Sequence, residues 1–203
     1  MNTADAVKMI LFRIGQPGNS ALEEVIQLEM ENVVRNRLER SAFMPWFLLS
    51  DRMCGYTLSG DSRIALPPDF LMEYEEGELM LRHPDGRWMA LDKKELNEVK
   101  QLEGPFPPRF YSLVGEFIRI SPAPDQVYAV RMIYYARKPL EYWLEMAGDW
   151  VIAATAVQVA SGQQYLEKVA ECQAEEQRAE ARIHRYHQAR QYAKQDLWME
   201  PVI

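Results

Sequence analysis

The stretch Trp150–Ala160 (WVIAATAVQVA) constrains this chain more than any other part of it. It is apolar nearly all round at helical spacing. Such a helix has no face to offer water and must be buried inside a domain or between subunits. It falls well short of the ~18 apolar residues a membrane crossing needs. Asp149 is placed to cap it and Ser161-Gly162 reads as its break. Gln163 to about Lys194 then reads as one long helix, with Glu167, Glu171, Glu175, Glu176 and Glu180 early and Arg182, Arg185, Arg190 and Lys194 late. That order suits the helix macrodipole. The apolar stripe of this helix (Val169, Cys172, Ala179, Ile183, Tyr186) is thin and Ala-rich, so one side packs and the other stays wet.

The N-terminal end is also helical by pattern. Thr3 or Asn2 can cap a first helix with Ala6, Val7, Ile10 and Leu11 on one face, broken at Gly15-Gln-Pro17-Gly18-Asn19. Ser20-Ala-Leu-Glu23 has the form of a capping box, opening a second helix with Leu22, Val25, Ile26, Met30, Val33, Val34 and Leu38 apolar. It should stop near Phe43, ahead of Pro45.

Between these ends the periodicity changes. Ile64-Ala-Leu66 followed by Pro67-Pro68-Asp69-Phe70 reads as a strand end and a tight bend. Leu79–Leu81 and Trp88–Leu91 read as a hairpin with Asp85-Gly86 at its tip. Asp92-Lys-Lys-Glu95 reads as the cap of a short helix to about Leu102. Phe110–Val114 and Glu116–Ile120 flank Gly115 as a second hairpin, and Val127–Tyr135 is a strand. The expected fold class is therefore α+β: a helical bundle of residues 1–45 and 140–195, a β-rich insertion at 46–139, and a C-terminal arm at 196–203.

Composition narrows the function. The 203 residues are 48% hydrophobic and 26% charged, with a net charge of -7. A sizeable core is affordable, and a tight grip on nucleic acid, which needs a basic stripe, is not expected. Acidic walls would leave a passing polyanion mobile. Cys54 and Cys172 are far apart, with no CxxC or metal-ligand partner, and read as buried reduced thiols of a protein made in the cytosol. No signal peptide is expected.

Catalytic patterns are scarce. There is no glycine-rich phosphate loop, GxSxG or HExxH. Glu180, His184 and His187 share one helix face and could hold a metal, although one helix alone rarely closes a site, and a solvated face is the plainer reading. His83 sits in a turn. Adjacent glutamates (Glu23-Glu24, Glu75-Glu76, Glu175-Glu176) point in different directions and form no acid/base pair. The aromatics cluster around the β-rich region, as core or as partner surface. The end, Asp196-Leu-Trp-Met-Glu-Pro-Val-Ile203, is mostly apolar: it either folds back on its own domain or serves as an arm for a partner.

Ile118-Arg-Ile-Ser-Pro122-Ala-Pro124-Asp125, then Tyr128 and Tyr134-Tyr135-Ala-Arg-Lys-Pro139-Leu140, resemble the core of phage head-to-tail adaptor proteins. There a strand ends in P-x-P, a second ends in YY, and Pro-Leu leads into C-terminal helices. The N-terminal half (Ile14-Gly15-x-Pro17, a long helix, Trp46-Phe47, Ile64-Ala-Leu66-Pro67-x-Asp69-Phe70) is similar to the tubular tail proteins of short-tailed phages. Together the matches run collinearly over most of residues 4–190. The chain departs from the pattern between Pro139 and Asp149, where the family tends to have a longer polar loop.

The resemblance implies a non-enzymatic virion protein of the neck between capsid and tail, needing no cofactor and touching no membrane. It implies a closed ring, commonly of about twelve subunits, docked beneath the portal protein. A tail protein would sit below the ring, and genomic DNA would pass through it without specific binding. By position it puts the portal contact on Leu197, Trp198, Met199, Pro201, Val202 and Ile203. Two other readings remain: a metal-dependent hydrolase using Glu180, His184 and His187, and an assembly chaperone absent from the particle.

Overall fold

A computed structural model describes residues 1–40, 44–74, 79–99 and 107–197, with only the backbone described for residue 40 and for residues 190–197. The chain divides into two compact units. One takes the residues up to Phe47 and those from Lys138 onward; the other is Leu48–Arg137.

The first unit is helical: α1 (Thr3–Arg13), α2 (Glu23–Arg40), α4 (Leu140–Gly162) and α5 (Leu166–Leu197). Asn2 caps α1, its side-chain oxygen accepting from the Asp5 amide at 2.8 Å. Asp5 at the start and Arg13 at the end both suit the macrodipole. The expected capping box ahead of α2 takes another form: Ser20–Leu22 winds into a 3-10 turn and α2 begins at Glu23 itself.

α4 differs from expectation at its start. It opens at Leu140, directly after Pro139, so Asp149 lies inside it and caps nothing. Pro139 supplies the extended backbone that a helix entry needs. The earlier opening is accommodated by a local break: Ala147 has φ -142 and ψ 33, so two helical segments meet there. α4 is the axis of the unit. Trp143, Leu144, Val151, Ile152, Ala153 and Ala156 are all buried, and α1, α2 and α5 each pack along it. Each large apolar side chain so buried contributes about 1.5–3 kcal/mol. Aromatic rings close one end: Phe47 meets Trp143 edge-on at 5.1 Å, Trp143 lies 5.8 Å from Trp150, and the Tyr142 hydroxyl donates to the Phe47 carbonyl at 3.1 Å.

The second unit is a curled sheet of β1 (Leu49–Tyr56), β2 (Arg63–Ala65), β3 (Phe70–Glu73), β4 (Leu79–Arg82), β5 (Trp88–Lys93), β6 (Phe110–Val114), β7 (Phe117–Ser121) and β8 (Ala129–Ala136), with the single-turn helix α3 (Leu96–Val99). The strand order is β1-β8-β4-β5-β6-β7-β2. β8 is the spine. β1 pairs along one of its edges, while β4 and then β3 share the other. β4–β5 is a hairpin turning at Asp85-Gly86, and β6–β7 turns at Gly115, whose φ of +58 is a left-handed conformation that glycine adopts without steric cost. Asp92 and Lys93 belong to β5 rather than to a helix cap, because Asp92 enters a parallel pairing with Phe110. Inside the curl lie Leu79, Leu81, Tyr111, Ile118, Tyr128, Val130 and Tyr134, all essentially inaccessible.

Candidate interaction surfaces

Core tyrosines need a place for their hydroxyls, and the three fully buried ones inside the curl are each met by a carboxylate at its edge. Tyr134 donates to Asp69 at 2.8 Å, Tyr128 to Asp125 at 2.6 Å, and Tyr111 to Glu73. Asp69 and Glu73 are in turn paired with Arg52 and Lys93. Burial, reinforced by the neighbouring carboxylate, raises all three phenols, Tyr134 to about 12. These phenols stay protonated at neutral pH and act as structural anchors.

Tyr128 lies at the end of the sheet where Tyr56 pairs with Ala129, and further hydrogen bonds gather there. Buried Thr57 accepts from the Tyr128 amide at 2.8 Å and donates to the Gln126 carbonyl at 3.1 Å, while the Gly60 amide donates to the Pro124 carbonyl at 2.7 Å. On this scaffold sit Tyr56, Leu58 and Val127, which are 69%, 64% and 55% exposed. Three large apolar side chains on a hydrogen-bonded tip are a surface suited to contact.

The helical unit presents charge. A groove of about 510 Å³ is lined by Arg13 of α1, Asp149 of α4, and Glu175, Arg178, Arg182 and Arg185 of α5. Arg13 pairs with Glu175 at 2.8 Å and Arg182 with Asp149 at 3.1 Å. Four guanidinium groups face two carboxylates, so the groove is net basic in a chain of net charge -7. Beside α2, a second groove of about 330 Å³ is lined by Arg37, Trp150, Gln158 and Glu176. Burial, then the neighbouring Glu180, raises the Glu176 carboxyl above its ordinary value, and Arg37 opposes the shift.

The candidate metal set has another occupation. The His184 Nε2 lies 3.1 Å from the Glu180 carboxylate, and that carboxylate also pairs with Arg37 of α2 at 2.6 Å. Glu180 thereby ties α5 to α2, with a guanidinium where a cation would sit. Among the described residues no group of three or more His, Cys, Asp or Glu side chains is placed to hold a metal. Cys172 is buried and Cys54 only partly so; burial is the main cause of raised pKa values at both thiols. Among the described residues no helix is long and apolar enough to cross a membrane.

Of the residues expected to meet the portal, Leu197 closes α5, with its side chain outside the described residues; Trp198, Met199, Pro201, Val202 and Ile203 lie outside them altogether. The basic groove escaped the sequence reading. Arg178, Arg182 and Arg185 follow one another at i, i+4 and i+7, a spacing visible in the sequence, but the arrival of Arg13 from α1 is not.

A family model described as SU10 adaptor protein matches residues 5–202. No curated protein matches the chain.

Proposed function

The chain belongs to the SU10 adaptor protein family, a family of phage structural adaptors, and on that premise we propose that it is a head-to-tail adaptor. In this reading it forms a closed ring beneath the portal and carries the DNA path from capsid to tail. The observation that carries the reading is the family match, which spans nearly the whole chain in one collinear run.

Three features of the chain support the finer assignment. The helical unit has a buried axial helix and outer helices whose wet faces bear charges of both signs, which is compatible with contacts between identical subunits. The β unit ends in the hydrogen-bonded apolar tip of Tyr56, Leu58 and Val127, a surface for an unlike partner such as a tail protein. The net charge of -7 suits a conduit that lets DNA slide past. In this proposal Leu197, Trp198, Met199, Pro201, Val202 and Ile203 form the arm that orders on the portal.

Gel filtration of the full chain with and without purified portal protein tests this. Joint elution as a ring-sized complex is the expected result. Separate elution at every salt concentration would remove the portal assignment. Mass spectrometry of purified virions separates it from the chaperone reading, which predicts that the chain is absent from the particle.

A further inference from the structure

The groove between α1, α4 and α5 has no apolar residue in its lining: Arg13, Asp149, Glu175, Arg178, Arg182 and Arg185 are all charged. Both carboxylates are already engaged. Glu175 holds Arg13 at 2.8 Å and ties α5 to α1; Asp149 holds Arg182 at 3.1 Å and ties α5 to α4. Arg178 and Arg185 are exposed and enter no ion pair among the described residues, although the Arg185 guanidinium donates to the Ala181 carbonyl of its own helix at 3.4 Å. Arg178, Arg182 and Arg185 follow one another at i, i+4 and i+7, so like charges stand side by side on one helix face, an arrangement that weakens a helix unless an anion joins them. The lining also selects among anions. A protein partner draws its affinity from buried aromatic and aliphatic anchors, and the groove offers none. A nucleic-acid backbone needs only cations. Every cation here is an arginine, whose planar fork matches phosphate oxygens in pairs. Arg178 and Arg185 lie about 10 Å apart along α5, and a duplex carries one charge per ~1.7 Å of its axis, so one DNA can meet both.

We propose that this groove is a contact for the phosphodiester backbone of DNA, with Arg178 and Arg185 as the phosphate ligands and the Arg13–Glu175 and Arg182–Asp149 pairs as its walls. The contact reads no sequence, since it touches phosphates alone. In a chain of net charge -7 it is weak in a single copy. In a ring each copy adds its own, so the grooves together slow a DNA that the acidic remainder lets slide. The inference rests on the conduit reading above and adds where the chain touches the strand.

The test is fluorescence anisotropy of a short labelled duplex of mixed sequence titrated with the full chain over a salt series. Binding should fall with salt at a log–log slope of about -2, as two neutralised phosphates give. R178Q/R185Q should bind about tenfold more weakly or worse and lose that slope. R178K/R185K keeps the charges without the planar fork; it should keep the slope and bind less well than the parent. R63Q/R109Q, on the β unit, should bind as the parent does. Thermal unfolding checks that each variant folds, and R178K/R185K carries the comparison if R178Q/R185Q does not. No salt-sensitive binding by the parent, parent-like binding by R178Q/R185Q, or a lost slope in R178K/R185K overturns the proposal. So does poly-glutamate that competes as well as unlabelled duplex, since carboxylates would then fill the groove. Each of these results leaves the ring reading standing, because joint elution with the portal tests that separately. Loss of the portal by R178Q/R185Q with DNA binding intact would make the groove a protein contact and overturn the assignment to phosphate.

Discussion

Replacing Tyr134 by Phe removes one oxygen from the edge of the β unit's core, and its effect should depend on pH in a defined way. The hydroxyl is buried and donates to Asp69 at 2.8 Å. A hydrogen bond to a charged group contributes about 1.5–3 kcal/mol, and Asp69 retains Arg52, so the lower end is expected at pH 8. The phenol is raised to about 12, by burial first and by Asp69 second. The unfolded chain releases that proton near the ordinary value of ~10. Between these values the folded state holds more protons than the unfolded state. Stability contributed by Tyr134 is therefore complete below about pH 10 and drains as pH rises toward 12, at up to about 1.4 kcal/mol per unit. Y134F has no such proton. Urea denaturation of both chains at pH 8, 9, 10 and 11, followed by near-UV circular dichroism, should show Y134F less stable by about 1.5 kcal/mol at pH 8. The gap should narrow by about 1 kcal/mol at pH 11. A gap that stays constant from pH 8 to 11 refutes the raised phenol, and no gap at pH 8 refutes the hydrogen bond as a stabilising contact.

Four further outcomes follow from the packing. Thr155→Val should stabilise the helical unit by about 1 kcal/mol in thermal melts, because the Thr155 hydroxyl is buried with no hydrogen-bond partner among the described residues; a loss of stability would mean the hydroxyl is satisfied. Leu81→Ala, at a fully buried position on β4, should cost about 2–5 kcal/mol by chemical denaturation. Arg37→Met should destabilise more at pH 7 than at pH 4, since it removes the cation that stands against Glu180 and Glu176; Glu176 is raised and regains its proton as pH falls, so an equal loss at both pH values would contradict the pairing. Gly115→Ala should cost about 1 kcal/mol through its left-handed backbone alone, as nothing crowds the added methyl.

Sequence reading located the elements whose pattern is local. β8 alternates buried and half-buried residues from Ala129 to Ile133, the β4–β5 hairpin turns at its Asp-Gly, and the first helix buries the Ala6, Val7, Ile10 and Leu11 stripe. The apolar pattern put the start of this helix at Trp150 because Asp149 is a good cap by type, while the true entry follows Pro139, where the Pro-Leu pair of the resembled pattern stands. Sequence reading also missed β3, a short strand after two prolines, whose residues find their place only by pairing with the end of β8. At the candidate surfaces, the charges along α5 were legible and the groove was not, since Arg13 and Asp149 join it through packing. Val25 and Tyr186 read as members of apolar stripes but are 41% and 67% exposed: periodicity marks a buried face but does not say which apolar residues fall outside it.

Cryo-electron microscopy of the neck of particles carrying this protein bears most directly on the claim that it joins capsid to tail. The predicted result is a closed ring of this chain between the portal and the tail. A neck in which this chain contributes no density, or in which its copies make no contact with the portal, would contradict it.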